Sequence, residues 1–284
     1  MEVRMHNILS IDVEDYFHLM EHPLLPGPSE WDNLPSRVQS NFTKLLDLFI
    51  EKGVKGTCFF LGWVAERFPN LVKTAADSGF GIASHGYYHR PVYKQVPDEF
   101  GEDVSRAKKV CEDITGKEVY GYRAPAFSIT ERTPWAMEKL IEAGYRYDSS
   151  IFPASRDFGG LIIDKLKPHI IKTARGSILE FPISITNVLG KRFYFFGGGY
   201  FRLFPYWMIK MMAQKVIAQG RPIILYIHPR DIDSGQPRYR LGLVRNFKSY
   251  VNLGSTEDKL RRFMDDFKFT SYDKWLKMYK SVVT

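Results

Sequence analysis

Short runs of β-branched and aromatic residues alternate along the chain with stretches whose apolar positions recur every third or fourth residue. "HNILSIDV" reads as a first strand. It is followed by "SRVQSNFTKLLDLFIEKG", a helix with Ser36 as its N-cap and Gly53 at its end. "KGTCFFLG" predicts a second strand, "NLVKTAADSG" a helix closed by Gly79, and "FGIAS" a third strand. "PDEFGEDVSRAKKVCEDITG" opens acidic and stops at Gly116, the charge order a helix dipole favours. "EVYGYR" is a fourth strand, "TPWAMEKLIEAG" a helix capped by Thr133 with Pro134 in its first turn, and "YRYDSS" a fifth strand. "GSILEFPIS" follows as a sixth, then the helix "PYWMIKMMAQKVIAQG" and a last strong strand, "RPIILYIH". Strands alternating with helices predict a parallel sheet, either doubly wound or closed as a barrel.

The positions of the polar residues choose between these layouts. Asp12 to Asp15, His85, Arg123, Asp148 and His228 all fall where strands end. In a (β/α) barrel those ends converge on one face, where catalytic groups collect. A dinucleotide-binding sheet would carry a glycine-rich turn after its first strand, and "DVEDYF" has none.

Composition narrows the picture further. The 284 residues fit one large α/β barrel or two modest domains, and no repeat, low-complexity segment or linker divides them. Hydrophobic residues at 44% and charged residues at 25% are ordinary for a globular chain. The net charge of +8 raises the question of nucleic acid. The basic residues are scattered, with mild concentration between Arg230 and Arg262, and no nucleic-acid motif accompanies them, so a solvated surface is expected. Peripheral contact with anionic lipid or a lipid-linked or phosphorylated substrate stays open. No apolar run approaches the roughly 20 residues that cross a bilayer. The opening "MEVRMHNILSID" lacks a signal-peptide pattern, which leads to the expectation of a cytoplasmic protein. Cys58 and Cys111 lie in apolar-periodic stretches and are expected as buried free thiols.

Chemistry concentrates in a few segments. In "SHGYYHR", His85 and His89 stand four apart and can present their imidazoles from one turn to one metal ion; inert surface pairs share that spacing. Three acids within "SIDVEDYFH" repel one another unless something positive sits among them, and a metal would supply it; a solvent-facing loop is the other reading. Asp12 lies inside the apolar pattern, where a carboxylate needs a partner. Arg123 in "GYRAPAF", on a loop fixed by Pro125, can clamp it with paired hydrogen bonds or can simply be a surface arginine. His228 in "ILYIHPRD" titrates in the range that suits a general acid, although a histidine after an apolar run is commonly structural.

In order, "SIDVED", "SHGYYH", "GYRAPAF", "YDSSIFP" and "ILYIHP" resemble the polysaccharide deacetylases, the NodB-homology or family-four carbohydrate esterases, over roughly residues 7–230. "GGGYFRLFPYW" and the tail from Arg238 to Phe269 resemble a subfamily found in exopolysaccharide and exosortase-associated gene clusters. The resemblance implies a distorted (β/α)7 barrel in a single domain, residues 1–284, with a subfamily-specific extension over about 231–284. It implies a hydrolase that removes acetyl groups from an N-acetylated sugar or oligosaccharide in surface or exopolysaccharide biosynthesis, with one divalent ion, zinc or else Fe, Co or Ni. Carried over position by position, the catalytic base falls on Asp12, the metal histidines on His85 and His89, the arginine on Arg123 and the general acid on His228. Many members have a second aspartate directly after the first, but Val13 stands there, so the metal carboxylate is Glu14 or its competitor Asp15, with Glu14 preferred. Pro125, Phe127, Asp148 and Tyr200 are the implied substrate-binding residues. The fourth motif is reduced to "YDSS" without its usual tryptophan, which leaves one pocket wall unassigned. Aromatics at 15%, dense in "KRFYFFGGGYFRLFPYW", suit stacking on sugar rings as well as a core. Two other readings compete: an amidase or deformylase acting on a small or nucleotide-linked sugar, and an inactive carbohydrate-binding homologue. Intact Asp12, His85, His89 and His228 weigh against the second, and the two histidines against a metal-free hydrolase of cyclic amides.

Overall fold

The computed structural model describes residues 6–19, 22–155, 158–188 and 190–283, with side chains as far as residue 278. Its strands are β1 (Asn7–Val13), β2 (Thr57–Phe60), β3 (Gly81–Ser84), β4 (Gly121–Tyr122), β5 (Tyr147–Asp148), β6 (His169–Thr173), β7 (Gly176–Glu180), β8 (Thr186–Val188), β9 (Lys191–Phe193), β10 (Ile224–Ile227) and β11 (Phe269–Thr270). The main sheet has the order β10-β1-β2-β3-β4-β5-β7, all parallel, with β6 antiparallel on its outer edge and β11 beside β1. This is the expected α/β class with a parallel sheet.

The side-chain alternation of β1 shows why the sheet curves. Leu9, Ile11 and Val13 point outward into the core shared with Phe42, Leu45 and Phe49 of the helix Val38–Glu51. Ile8 points inward to a second core with Phe59, Ala83, Tyr147, Leu179, Ile224 and Tyr226, contributed by strands from all round the sheet. Two apolar faces must both be covered, which a sheet wrapped on itself beneath a layer of helices achieves. Tyr272 and Trp275, from the helix Tyr272–Val283, belong to the inner core.

Among the described residues no ladder joins β7 to β10. The segment leaving β7 is instead stitched to β10 by side chains. Ile224 N donates to Ser184 Oγ at 2.8 Å, that hydroxyl donates to Pro222 O at 3.0 Å, and Arg221 Nη2 donates to Ile185 O at 2.8 Å. Pro182 and Pro222 bring no N–H to this seam, so a regular ladder cannot run along it. A parallel bridge between Gly197 and Tyr226 completes the join. Glycine is required there, because a Cβ on Gly197 would lie 2.0 Å from the Tyr226 ring.

Several local expectations are corrected. Ser36 does not cap the helix Val38–Glu51; its hydroxyl donates to Asp15 Oδ2 at 2.6 Å. The same carboxylate oxygen accepts from Arg37 N and Val38 N at 2.9 and 3.1 Å, so Asp15 serves this helix start from another loop. Thr133 closes a turn on Thr130 rather than a helix, which starts only at Ala136. Strands β6, β8, β9 and β11 and the helices Gly62–Arg67, Gly198–Leu203, Leu243–Tyr250, Thr256–Asp266 and Tyr272–Val283 were not foreseen. Cys58 and Cys111 are buried and free, and burial pushes both thiols up, Cys111 to about 12.

Candidate active site

The strand register sets the site. Asp12 pairs with Phe59 across β1 and β2, Phe60 with Ser84 across β2 and β3, and Ser84 with Tyr122 across β3 and β4. Residues just beyond these rungs therefore emerge on the same rim. Glu14, His85 and His89 each place one ligand atom there, all within 4.8 Å of one another. The histidines do not share a helical turn. Gly86 at φ 73° and His89 at φ 54° bend the chain back on itself, and the bend rather than helical spacing brings the rings together. His89 Nε2 lies 2.9 Å from Glu14 Oε2. His85 Nδ1 lies 2.7 Å from Arg123 O, so Nδ1 carries the proton and Nε2 keeps its lone pair for a ligand. Burial lowers His85 to about 4, leaving it neutral near pH 7. Burial alone would raise Glu14, but His89, then His228 and His85, hold it well below the usual carboxylate range. Two imidazoles and one carboxylate fit a divalent ion such as zinc. Asp15 lies outside this cluster, its carboxylate committed to Tyr16 N, Ser36 and the helix start.

Arg123 organises the inward side of β1. Its Nη1 donates to Asp12 Oδ1 at 2.5 Å and to Ser10 Oγ at 2.8 Å. Nη2 donates to Tyr272 Oη at 2.7 Å and Ser149 Oγ at 3.2 Å, and the guanidinium lies 4.2 Å from the centre of the Phe59 ring. Both Arg123 and Asp12 are buried, so the pair is sustained by this full set of donors and acceptors. Asp12 Oδ2 is left facing the cavity, 3.9 Å from His228 Nε2.

His228 follows β10. Asp231 Oδ2 accepts from its backbone N at 2.9 Å and from Nδ1 at 2.8 Å, fixing the ring with Nε2 toward Glu14 Oε1 at 3.2 Å. Burial would lower His228, but Asp231 above all, with Glu14 and Asp12, raises it to about 9. Arg202 Nε lies 3.0 Å from Asp231 Oδ1, an ion pair whose alignment falls short of a hydrogen bond.

Asp12, Glu14, His85, His89, Arg202, His228 and Asp231 line one cavity of about 830 Å³ together with Phe127, Tyr194, Tyr200 and Tyr226. Pro125 and Asp148 do not line it. Asp148 accepts from Ser150 Oγ and N and lies against Glu180, whose carboxyl burial and the charge of Asp148 push well above the usual carboxylate range. It therefore supports the loop after β5 from beneath. Sequence reading missed Asp231, although "HPRD" places it one turn beyond His228, and it missed Arg202 and His18. His18 lines the cavity; its Nδ1 accepts from Asp15 N at 2.9 Å, and its Nε2 is buried without a partner.

Residues 29–147 match the family model described as polysaccharide deacetylase, and residues 149–277 match one described as a domain of unknown function. The chain is 34% identical over 97 residues to a peptidoglycan-N-acetylglucosamine deacetylase of Bacillus cereus, covering 34% of this chain and 35% of that one. It is 29% identical over 108 residues to a peptidoglycan deacetylase of Helicobacter pylori, covering 38% and 36%. The chain thus spans about a third of the length of these curated relatives. Among solved structures, PuuE allantoinase superposes with a TM-score of 0.62 at 16% identity, covering 94% of this chain and 87% of its own. A family 4 carbohydrate esterase from Streptomyces lividans gives 0.50 at 12%, covering 94% and 92%. The structural likenesses establish the fold over nearly the whole chain, and residues 29–147 are similar in sequence to the polysaccharide deacetylases.

Proposed function

We propose that this protein is a metal-dependent N-deacetylase that hydrolyses the acetamide of an N-acetylated sugar. One observation carries the reading: a ligand-competent Glu14–His85–His89 cluster, an Arg123-held Asp12 and an Asp231-held His228 meet in one cavity. The relatives' printed activities and the family model agree with it.

Glu14, His85 and His89 would hold one divalent ion, zinc or one of Fe, Co and Ni. Such an ion, when bound, supplies Lewis acidity to a water and to the acetyl carbonyl. Asp12, aimed by Arg123, accepts the proton as water attacks. As the C–N bond breaks, His228 Nε2–H passes its proton to the departing amine, and acetate remains. Asp231 keeps that proton on the correct nitrogen by holding Nδ1. Phe127, Tyr194, Tyr200 and Tyr226 offer flat apolar faces to the sugar ring and its acetyl group. We place the substrate in surface or exopolysaccharide biosynthesis, on the resemblance of "GGGYFRLFPYW" and the C-terminal segment noted above.

The test is acetate release from a panel of N-acetylated oligosaccharides and sugar donors before chelation, after it, and after return of single metals. Turnover is expected to vanish on chelation and return with a divalent ion. Asp12→Asn is expected to keep metal and lose nearly all turnover. Undiminished turnover in the chelated protein would overturn the metal reading, and loss of metal from Asp12→Asn would interchange base and ligand.

A further inference from the structure

The helix Leu243–Tyr250 has no buried residue, unlike most helices of a globular protein, which are held by an apolar face. Its backbone holds it instead. Arg202 Nη2 donates to Lys248 O at 3.1 Å and Nη1 to Val251 O at 2.8 Å, while Arg230 Nη2 donates to Ser249 O at 3.1 Å. Asn246 Oδ1 accepts from Leu241 N at 2.9 Å. Two guanidiniums from the cavity wall therefore post this helix at the mouth, where Leu243, Val244, Arg245 and Lys248 contribute to the lining.

Its apolar side chains face water: Leu243 is 92% exposed, Val244 70% and Phe247 54%. Positions 243, 244 and 247 lie on one side of a helix. Charge adds the second observation. From Ser234 to Thr256 the sequence has no acidic residue, while Arg238, Arg240, Arg245 and Lys248 are basic. A second copy of this chain would meet this surface with a like charge of +8. A soluble polyanion would match the cations and leave the three apolar side chains in water. A lipid surface bearing anionic headgroups answers both.

We propose that Leu243–Tyr250 is an interfacial helix that seats the protein on anionic lipid, with the cavity mouth turned toward the membrane. The inference stands on this surface alone and does not depend on the deacetylase reading. Leu243, Val244 and Phe247 enter the boundary between headgroups and acyl chains, while the four basic residues meet the headgroups. Each basic residue near such a surface contributes roughly fivefold in partitioning, so four contribute several hundredfold in all.

The test uses the full chain with phosphatidylcholine vesicles made with and without phosphatidylglycerol. Co-sedimentation is expected with the anionic vesicles, roughly several hundredfold weaker with the neutral ones, and weaker again as salt is raised. The double variant Leu243→Glu, Phe247→Glu is expected to lose binding by roughly tenfold or more while keeping its melting temperature. Phe247→Cys, labelled with an environment-sensitive nitrobenzoxadiazole dye, provides an independent readout, because Cys58 and Cys111 are buried. Its emission is expected to rise on anionic vesicles. Equal or absent binding to both vesicle types, or capture without any change in the dye, overturns the proposal. Binding to dextran sulfate in a protein that ignores vesicles also overturns it, in favour of a soluble polyanion.

Discussion

His228 faces Asp231, Glu14 and Asp12, and its protonation is the most sensitive property of a single residue here. In the metal-free protein its ring is expected to titrate near pH 9 by NMR. Asp231→Asn should bring it back toward the ordinary value of about 6.5. Adding a divalent ion should also lower it, because the cation offsets the charge of Glu14. The sign follows from linkage: a raised histidine pKa contributes stability that is complete below the ordinary value and lost as pH rises through about 9. The rate is expected to fall on the same alkaline side, where the acid loses its proton. His228→Ala should remove that limb and slow an amide substrate by about 10²–10⁴-fold, and an activated aryl acetate much less. Equal losses on both substrates would assign the acid elsewhere. The neighbouring acids separate in another way. Glu14→Gln is expected to weaken metal binding with little effect on folding. Asp15→Asn should leave metal affinity intact and cost about 1 kcal/mol of stability, as loss of a helix-start acceptor does. Metal titration and denaturant melts on the two variants check this.

At the scale of elements, the turn after β4 forms a wall of the cavity. Ala126 and Phe127 both hold positive φ, at 54° and 57°, and a Cβ on Gly159 would meet their carbonyl oxygens at 2.7 and 2.4 Å. Gly159→Ala is therefore expected to push this wall inward, raising KM for an N-acetylated sugar severalfold while metal affinity is unchanged. If KM holds, the wall yields without narrowing the site. The same elements show what could be read beforehand. Strand ends that bear Asp12, His85, Arg123 and His228 were legible, because apolar runs stop there and chemistry begins. The path between His85 and His89 was not, because spacing alone does not reveal a bend set by Gly86 and His89. Asp148 looked like a rim residue for the same reason as the others, yet its two-residue strand ends deeper, against Glu180. The partnership of Asp231 with His228 depends on a short 3₁₀ turn, Pro229–Ile232, that hydrophobic period does not register.

For the molecule as a whole, a metal that binds only the folded site should stabilise it by about 2.7 kcal/mol at a hundredfold excess over Kd. A rise in melting temperature with added divalent ion is expected for the wild type and absent in His85→Ala. The effect should fade in acid, because protons compete for His85 and Glu14. The protein's halves are also tied together chemically. Residues 29–147 hold His85, His89 and Arg123, whereas Asp12 and Glu14 come before that stretch and His228 and Tyr272 after it. Tyr272 and Ser149 satisfy the guanidinium that aims Asp12, and the carbonyl of the same Arg123 orients His85. A gene fragment cut to residues 29–147 would thus encode two histidines without the carboxylate of Glu14 that completes the cluster. Trimming the far end before Tyr272 would strand a buried cation directly behind the base. On the proposed mechanism, the smallest unit that carries every site residue extends from β1 to the helix Tyr272–Val283, and a transplanted or shortened version must bring both ends with it.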